Sequence, residues 1–135
     1  MNKDRLQLIH DIVKEVPDKK FDMDIWMNRK GCATAGCAIG WAASDPRIIE
    51  QGLHLVENAH GSVFPVFENA KSGATTAGTI HKHIAEFLDI SVTDSLSLFD
   101  PEEDYQRHDL EDEDSLVTKK MVLADIAKYI ETGEV

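Results

Sequence analysis

The chain has 135 residues, of which 42% are hydrophobic and 29% are charged, as is typical of one globular domain. Its formal net charge of −11 disfavours direct binding to nucleic-acid backbones and favours partners with a basic surface. No apolar run approaches the ~20 residues that a membrane span needs, and the charged, amphipathic N-terminus does not resemble a signal peptide. We therefore predict a cytoplasmic protein that does not enter membranes and whose cysteines are reduced.

The first half of the chain predicts helices. Apolar residues at helical spacing indicate a helix over residues 4–16, and Pro17 ends it. Residues 37–44, CAIGWAAS, predict a second helix that is buried. Ser44 or Asp45 then caps a third helix with Pro46 in its first turn, and Gly52 fits the left-handed position after it.

The second half predicts a hairpin and three further helices. Alternating residues in 53–67 indicate two short strands, with Pro65 at a sheet edge. Thr75 or Thr76 caps a helix through Ile90, and Ser91 opens a short helix. The predicted inner face of the first of these helices is formed by Ile80, Ile84, Phe87 and Leu88.

The last predicted helix begins at Thr118, after an acidic, irregular segment at about 100–116, and ends at Gly133. Its apolar stripe consists of Val122, Leu123, Ile126, Ala127 and Ile130. These elements predict a mostly helical α+β fold, a single compact domain over residues 1–135 with about five helices and one short β-hairpin.

Both cysteines lie in residues 21–41, FDMDIWMNRKGCATAGCAIGW. The C-x4-C spacing of Cys32 and Cys37 is at the edge of zinc-binding patterns, and no second cysteine pair completes a site. His81 and His83 are two residues apart on a helix and point to different faces, so they do not bind one ion together. A reactive thiol would need a nearby base, and the apolar neighbours of Cys37 oppose thiol ionisation. The pattern favours two small buried side chains and no bound cofactor, with a thiol- or metal-dependent enzyme as the alternative.

The same stretch contains both tryptophans, Trp26 and Trp41, among small residues that let a ring lie on the backbone. We interpret the stretch as a structural element in which small residues pack closely around the two tryptophans. A pocket beside the rings, with Trp26, Thr34 and Trp41 as ligand-binding residues for a nucleotide-like signalling ligand, is the sharper alternative.

The acidic segment DPEEDYQRHDLEDED offers a second candidate site. It has the ligand spacing of a calcium-binding loop, but Tyr105 stands where such a loop needs glycine. The residues at the ligand positions are Asp100, Glu102, Asp104, Gln106, His108 and Glu111. A solvated acidic loop is one interpretation, and a docking patch for a basic host protein is the other. The docking residues would be Asp104, Glu111, Asp112, Glu113 and Asp114.

The opening stretch resembles the signature F-D-M-x-x-W, then C-G-T-x-x-C-x-x-G-W-A, of a family of small bacterial and phage proteins. The matching residues are Phe21, Asp22, Met23, Trp26, Cys32, Thr34, Cys37, Gly40, Trp41 and Ala42, whereas Ala33 replaces the glycine of the signature. The later segments GLHL, FPVFEN, LSLFDP and IETGEV are also similar in kind. The resemblance implies a phage or prophage accessory protein in a bacterial host cell, with no established activity.

Known catalytic and phosphate-binding motifs are missing from the sequence, which favours binding over catalysis. We predict an accessory protein that counteracts a host defence by binding a protein target or by sequestering a small signalling ligand. The alternatives are an oligomeric structural or regulatory protein, and the enzyme that uses Cys32 and Cys37.

Overall fold

A computed structural model of the chain describes residues 1–21, 27–28, 35–57, 59, 63–70, 80–99 and 118–135, with only the backbone of 27–28 and 35–36. In these ranges there are six α-helices and two antiparallel strand pairs. The helices are α1 (Lys3–Glu15), α2 (Ala38–Ala42), α3 (Pro46–Ile49), α4 (Ile80–Leu88), α5 (Val92–Phe99) and α6 (Lys119–Thr132). The strands are β1 (Met27–Asn28), β2 (Ala35–Gly36), β3 (Leu53–Glu57) and β4 (Val63–Phe67). The predicted mostly helical α+β fold is confirmed, and the short β1–β2 pair adds to the predicted hairpin.

Helix α1 lies at the centre of the fold, because α2, α4 and α6 all pack against it. Its inner stripe, Leu6, Ile9 and Val13, is fully buried, as the helical spacing predicts. Asn2 caps the helix by accepting a hydrogen bond from the backbone N–H of Arg5, and Pro17 follows its last turn. The predicted helix 4–16 is therefore displaced by one residue at each end.

The predicted hairpin of two short strands within residues 53–67 is present, and its second strand packs on α4. Leu53 faces Phe67 across the two strands, and Leu55 faces Pro65. Pro65 has no N–H to donate, and a two-stranded sheet tolerates it because both strands are edge strands. Strand β4 packs against α4, and the Phe67 and Phe87 rings meet edge to face with their centroids 5.4 Å apart.

Most predicted helix ends are confirmed by cap hydrogen bonds. The Asp45 carboxylate accepts from the N–H of Arg47, with Pro46 in the first turn of α3. The Ser91 hydroxyl accepts from the N–H of Asp94 at the start of α5, and the Thr118 hydroxyl accepts from Met121 at the start of α6. Thr75 and Thr76, the predicted caps of α4, lie outside the described residues.

Helix α4 ends two residues earlier than predicted. Asp89 adopts a left-handed φ of 54°, and the N–H of Ile90 bonds back to the carbonyl of Ala85. This is the Schellman arrangement, in which the second residue past the helix end packs its apolar side chain on the core. Ile90 does so. The run of apolar residues through Ile90 therefore belongs to the helix stop and not to the helix.

The predicted stripe of α6 is wrong at Ala127, which is exposed. Val122 and Ile126 are fully buried, and Leu123 and Ile130 are half-buried against the core. Tyr129 fills the remaining inner position with 3% of its surface exposed. A tyrosine was not expected there, because its hydroxyl needs a partner that only the neighbouring helix supplies.

Gly52 provides the first testable prediction. Its φ is 101°, and a Cβ added there would lie 3.2 Å from Cε1 of Phe67. Gly133 also has a positive φ, 73°, but a Cβ there would meet only the end of Met1 at 3.9 Å. We expect Gly52→Ala to destabilise the protein by about 1–3 kcal/mol and Gly133→Ala by about 1 kcal/mol, measured by urea unfolding. Equal losses of unfolding free energy in the two variants would show that the close approach to Phe67 does not add to the destabilisation.

Candidate functional site

Cys37 is the described half of the cysteine pair, and it is a structural cap. It occupies the N-cap position of α2, where its Sγ accepts from the N–H of Gly40 at 3.4 Å. The residue is 1% exposed, so no substrate reaches its sulfur in this conformation. The prediction that Cys37 stands at a helix N-terminus and is buried is confirmed. Cys32 lies outside the described residues.

Trp41 links α2 to the turn after α1. The ring is half-buried against the core, and its Nε1–H donates to the carbonyl oxygen of Lys20 at 3.0 Å. The polar end of the indole is thus occupied by the protein itself, as is usual for a tryptophan with a structural role. Trp26 and Thr34, the other predicted ligand-binding residues, lie outside the described residues, and the ligand hypothesis for the three stays a prediction.

The two histidines of α4 point to different faces, as predicted. His83 is buried, and its Nδ1 accepts from the backbone N–H of Phe67 at 3.1 Å. His81 lies 2.9 Å, Nδ1 to Oγ, from the buried Ser95 on α5. One histidine therefore supports the hairpin and the other joins α4 to α5. No group of three or more metal-binding side chains occurs in the described ranges.

Arg5 holds three elements together, a role that sequence reasoning missed. Its guanidinium lies over the Phe87 ring, 4.3 Å from the centroid. Nη1 donates to the carbonyl of Phe87 at 2.7 Å, and Nε donates to Oε1 of Gln51 at 2.9 Å. The guanidinium thus makes one cation–π contact and donates two hydrogen bonds. No sequence pattern marks this residue, because its partners are 46 and 82 positions away.

An open surface depression of about 450 Å³ lies at the corner between α4 and α5. Lys82, Glu86, Asp89 and Val92 are among the residues that line it. Charges of both signs and an apolar side chain face it, without the enclosure that small-molecule sites usually have. The depression involves neither tryptophan, so it does not bear on the predicted pocket at Trp41.

Most of the negative charge of the chain lies in the connection between α5 and α6. Residues 100–114 hold nine carboxylates and one arginine, so this segment carries −8 of the formal charge of −11. Asp104 and residues 111–114, the predicted docking residues, lie outside the described residues. The flanking residues are anchored: Phe99 is 1% exposed at the end of α5, and Thr118 caps α6.

Tyr129 fixes the two helices that flank the acidic segment. Its hydroxyl donates to Oδ2 of Asp94 at 2.7 Å and so joins α6 to α5. Burial of the ring and the bond to the Asp94 carboxylate raise the pKa of Tyr129 well above its ordinary value. The folded state therefore favours the neutral phenol.

We expect Tyr129→Phe to lower the free energy of unfolding by about 1–2 kcal/mol at neutral pH, because the Asp94 carboxylate loses a donor. A group whose pKa is raised on folding stabilises the fold below its unfolded pKa, and that stability is lost as pH rises. Between about pH 9 and 11 the wild type should therefore lose more stability than Tyr129→Phe in urea titrations. Tyr105→Phe is the control. Identical alkaline losses in wild type and Tyr129→Phe would contradict the assignment.

The described residues thus define a helix-rich α+β domain that carries a strongly acidic connection between two of its core helices. No protein-family model, curated protein or solved structure matches the chain. The family resemblance of residues 21–42 therefore stays a prediction. Among the described helices, none combines the length and the apolar content needed to cross a membrane.

Proposed function

We propose that this is a binding protein that docks on the basic surface of a partner protein through residues 100–114. The observation that carries the proposal is the concentration of charge, because 15 of the 135 residues hold −8 of −11. The remaining 120 residues are nearly balanced, at −3. A localised anionic segment on a nearly neutral body attracts and orients a cationic partner more effectively than a uniform charge would.

The fold supports this role by holding both ends of the segment. Helix α5 ends at the buried Phe99, and α6 begins at Thr118 and packs along α1. The Tyr129–Asp94 hydrogen bond connects the two helices directly. A segment that is anchored at both ends loses less conformational entropy on binding than a free tail of the same length.

The biological setting of this proposal comes from the family resemblance. It is a phage or prophage protein that counteracts a host defence by occupying a bacterial protein. A catalytic role for Cys37 would require a conformation that exposes its sulfur, and a ligand role for Trp41 would use a ring whose N–H is already bonded to Lys20. Docking through the acidic segment needs neither change.

Charge reversal tests the docking proposal. The variant Glu111→Lys, Asp112→Lys, Glu113→Lys, Asp114→Lys should lose the partner, because the attraction becomes repulsion at four neighbouring positions. The matched control reverses four exposed acids on the described surface: Glu50, Glu57, Glu131 and Glu134. Both variants raise the net charge by the same eight units, so only the location of the change differs.

The measurement is quantitative mass spectrometry of proteins captured from host lysate by tagged wild type and both variants, at low and high salt. We expect one partner that wild type and control enrich equally and the segment variant loses, at least tenfold. Plating of a defence-restricted phage on cells that express each variant tests the biological setting. Full activity of the segment variant in both assays would rule out docking through residues 100–114.

A further inference from the structure

The pairing of the two hairpin strands fixes which backbone groups of β3 face β4. The N–H of Glu68 donates to the carbonyl oxygen of Gly52 at 2.9 Å, so these two residues form a hydrogen-bonded pair just before β3. Hydrogen-bonded and non-hydrogen-bonded pairs alternate along an antiparallel ladder. His54 and Val56, which follow Gly52 by two and four positions, therefore direct their N–H and C=O groups to β4.

The other residues of β3 direct their N–H and C=O groups away from β4. They are Leu53, Leu55 and Glu57. The facing residues of β4 agree with this assignment, because Pro65 has no N–H and the N–H of Phe67 donates to His83. The outer edge of β3 thus consists of alternate residues whose backbone groups are not used in the hairpin.

This outer edge is open at Leu55 and Glu57. Leu53 is fully buried, whereas Leu55 is half-buried and Glu57 is exposed. Within the part of the chain that the structure describes, no group forms a hydrogen bond with the outward N–H and C=O of Leu55 and Glu57. Such an edge is a template for pairing with another extended chain. The outer edge of β4 is not, since β4 carries Pro65 and packs on α4.

The hairpin is acidic and contains no lysine or arginine. Residues 48–70 include three glutamates and neither of these cations. Glu57 is the exposed last residue of β3, and Oε1 of Glu68 lies 3.6 Å from Nδ1 of His54, near the other end of the strand. A basic strand would therefore meet a carboxylate near each end of β3. A second copy of this chain would instead bring carboxylates of its own.

The side chains of β3 define the kind of strand that fits beside it. Leu53 and Leu55 pack on the core, so His54 and Val56 point to the opposite face of the hairpin. Val56 is 36% exposed on that face. Cross-strand neighbours stabilise a sheet when apolar side chains face each other and when opposite charges face each other. A fitting strand thus contains β-branched apolar residues and carries lysine or arginine at its ends.

We propose that β3 binds an extended, basic peptide segment of a partner protein by strand addition. The segment forms backbone hydrogen bonds with Leu55 and Glu57, and its cationic ends lie beside the carboxylates of Glu57 and Glu68. This surface is separate in sequence from residues 100–114. The inference therefore goes beyond the proposed docking role of that segment and does not depend on it.

Amide hydrogen exchange, measured by NMR, tests the site residue by residue. The probe is a peptide of alternating valine and threonine with two lysines at each end. The control probe has the same charges but N-methylated valines and threonines, which cannot donate backbone hydrogen bonds. In the free protein, the Leu55 and Glu57 amides should exchange faster than those of His54 and Val56. With the probe in excess, exchange at Leu55 and Glu57 should slow about tenfold or more, whereas the control probe should not slow it.

The proposal is overturned if the probe leaves exchange at Leu55 and Glu57 unchanged. It is also overturned if both amides are already protected in the free protein, because the edge is then occupied without a basic partner. Protection that rises with protein concentration would identify the occupant as a second copy of the chain. Protection that does not depend on concentration would identify it as another segment of the same chain.

Substitutions at Leu55 separate backbone pairing from side-chain packing. Leu55→Pro removes the outward N–H but no hydrogen bond to β4, because residue 55 belongs to a non-hydrogen-bonded pair with Pro65. Leu55→Ala loses the same packing and keeps the N–H, so it is the matched control. We expect the probe to protect the Glu57 amide in Leu55→Ala and not in Leu55→Pro. Equal protection in both variants would contradict pairing at this edge.

Charge reversal at Glu57 gives a test that does not require proline at position 55 to be tolerated. Glu57→Lys should weaken the probe about threefold or more at low salt, as measured by titration of the protection at Leu55. Glu131→Lys, at an exposed acid of α6, has the same net charge and should keep the wild-type affinity. Equal affinities of the two variants would contradict the recognition of a basic strand.

The two charge-reversed variants of the docking test distinguish this inference from the proposed function. The variant with residues 111–114 changed to lysine should lose the captured partner but keep the protection of Leu55 and Glu57 by the probe. The matched control includes Glu57→Lys, so it should keep the captured partner and bind the probe more weakly. If the 111–114 variant loses the protection, the acidic segment holds the probe and strand addition at β3 is wrong.

Discussion

Phe87→Ala should destabilise the protein by about 3–5 kcal/mol, measured as a shift of the urea midpoint with an unchanged slope. The Phe87 ring is fully buried, and its removal leaves a cavity where α1, α4 and the hairpin meet. Two specific contacts are lost with the ring. One is the edge-to-face contact with Phe67, and the other is the cation–π contact with the Arg5 guanidinium, which lies 4.3 Å from the ring centroid. The hydrogen bond from Arg5 to the backbone carbonyl of residue 87 can persist.

Phe87→Leu is the control because it keeps most of the apolar volume and removes the aromatic face. Its loss should be clearly smaller than that of Phe87→Ala. Arg5→Met isolates the cation, and its coupling to Phe87→Leu in a double-mutant cycle should be about 0.5–1 kcal/mol. A loss below about 1 kcal/mol for Phe87→Ala would mean that the junction collapses around the missing ring and is not rigid.

His83→Leu should destabilise the protein by about 1–3 kcal/mol, although leucine fits the apolar surroundings. The imidazole Nδ1 accepts from the backbone N–H of Phe67, and leucine leaves this donor without its acceptor. The effect should also be local. Amide hydrogen exchange at Phe67 should accelerate more than exchange in α1, because β4 is held to α4 through this bond.

The control variant His83→Asn separates the hydrogen bond from packing. The Oδ1 of asparagine occupies nearly the position of Nδ1 and can accept the same bond, but the smaller side chain fills less space. Faster exchange at Phe67 in His83→Leu and not in His83→Asn would locate the effect at the acceptor. If Phe67 exchanges at the wild-type rate in both variants, the hydrogen bond does not hold the hairpin.

The two stability predictions concern the core of the domain, whereas the proposed docking role concerns the acidic segment. Arg5, Phe87 and His83 join the hairpin, α4 and α1 into one packed body. The acidic segment leaves that body at Phe99 and rejoins it at Thr118, so the core contributes its anchoring points. Variants in the core should therefore reduce stability without changing the charge that a partner meets. Variants in residues 111–114 should change that charge without reducing stability.

The elements whose signals are local were predicted well. Helix α1 was recognised by the spacing of Leu6, Ile9 and Val13 and by Pro17, and the hairpin by its alternation. Caps such as Asp45 and Thr118 act on N–H groups two or three residues away, so a short window of sequence contains the whole interaction. The charge of residues 100–114 is also a property of sequence alone.

The interactions that required the tertiary structure join distant residues. Ala127 has the apolar character of a core residue but is exposed. Tyr129 occupies the inner position instead, because Asp94 on α5 accepts a hydrogen bond from its hydroxyl. The end of α4 at Asp89 depends on Ile90 packing on the core, and Arg5 depends on Gln51 and Phe87.

The sequence by itself determined the fold class, most helix ends, the hairpin and the location of the charge, because backbone capping, periodicity and composition are short-range properties. Only the tertiary structure decided which side chains meet across elements, such as Arg5 with Phe87, His83 with Phe67 and Tyr129 with Asp94. These pairings depend on how whole faces pack, and the free energy of packing is shared among many residues far apart in the chain.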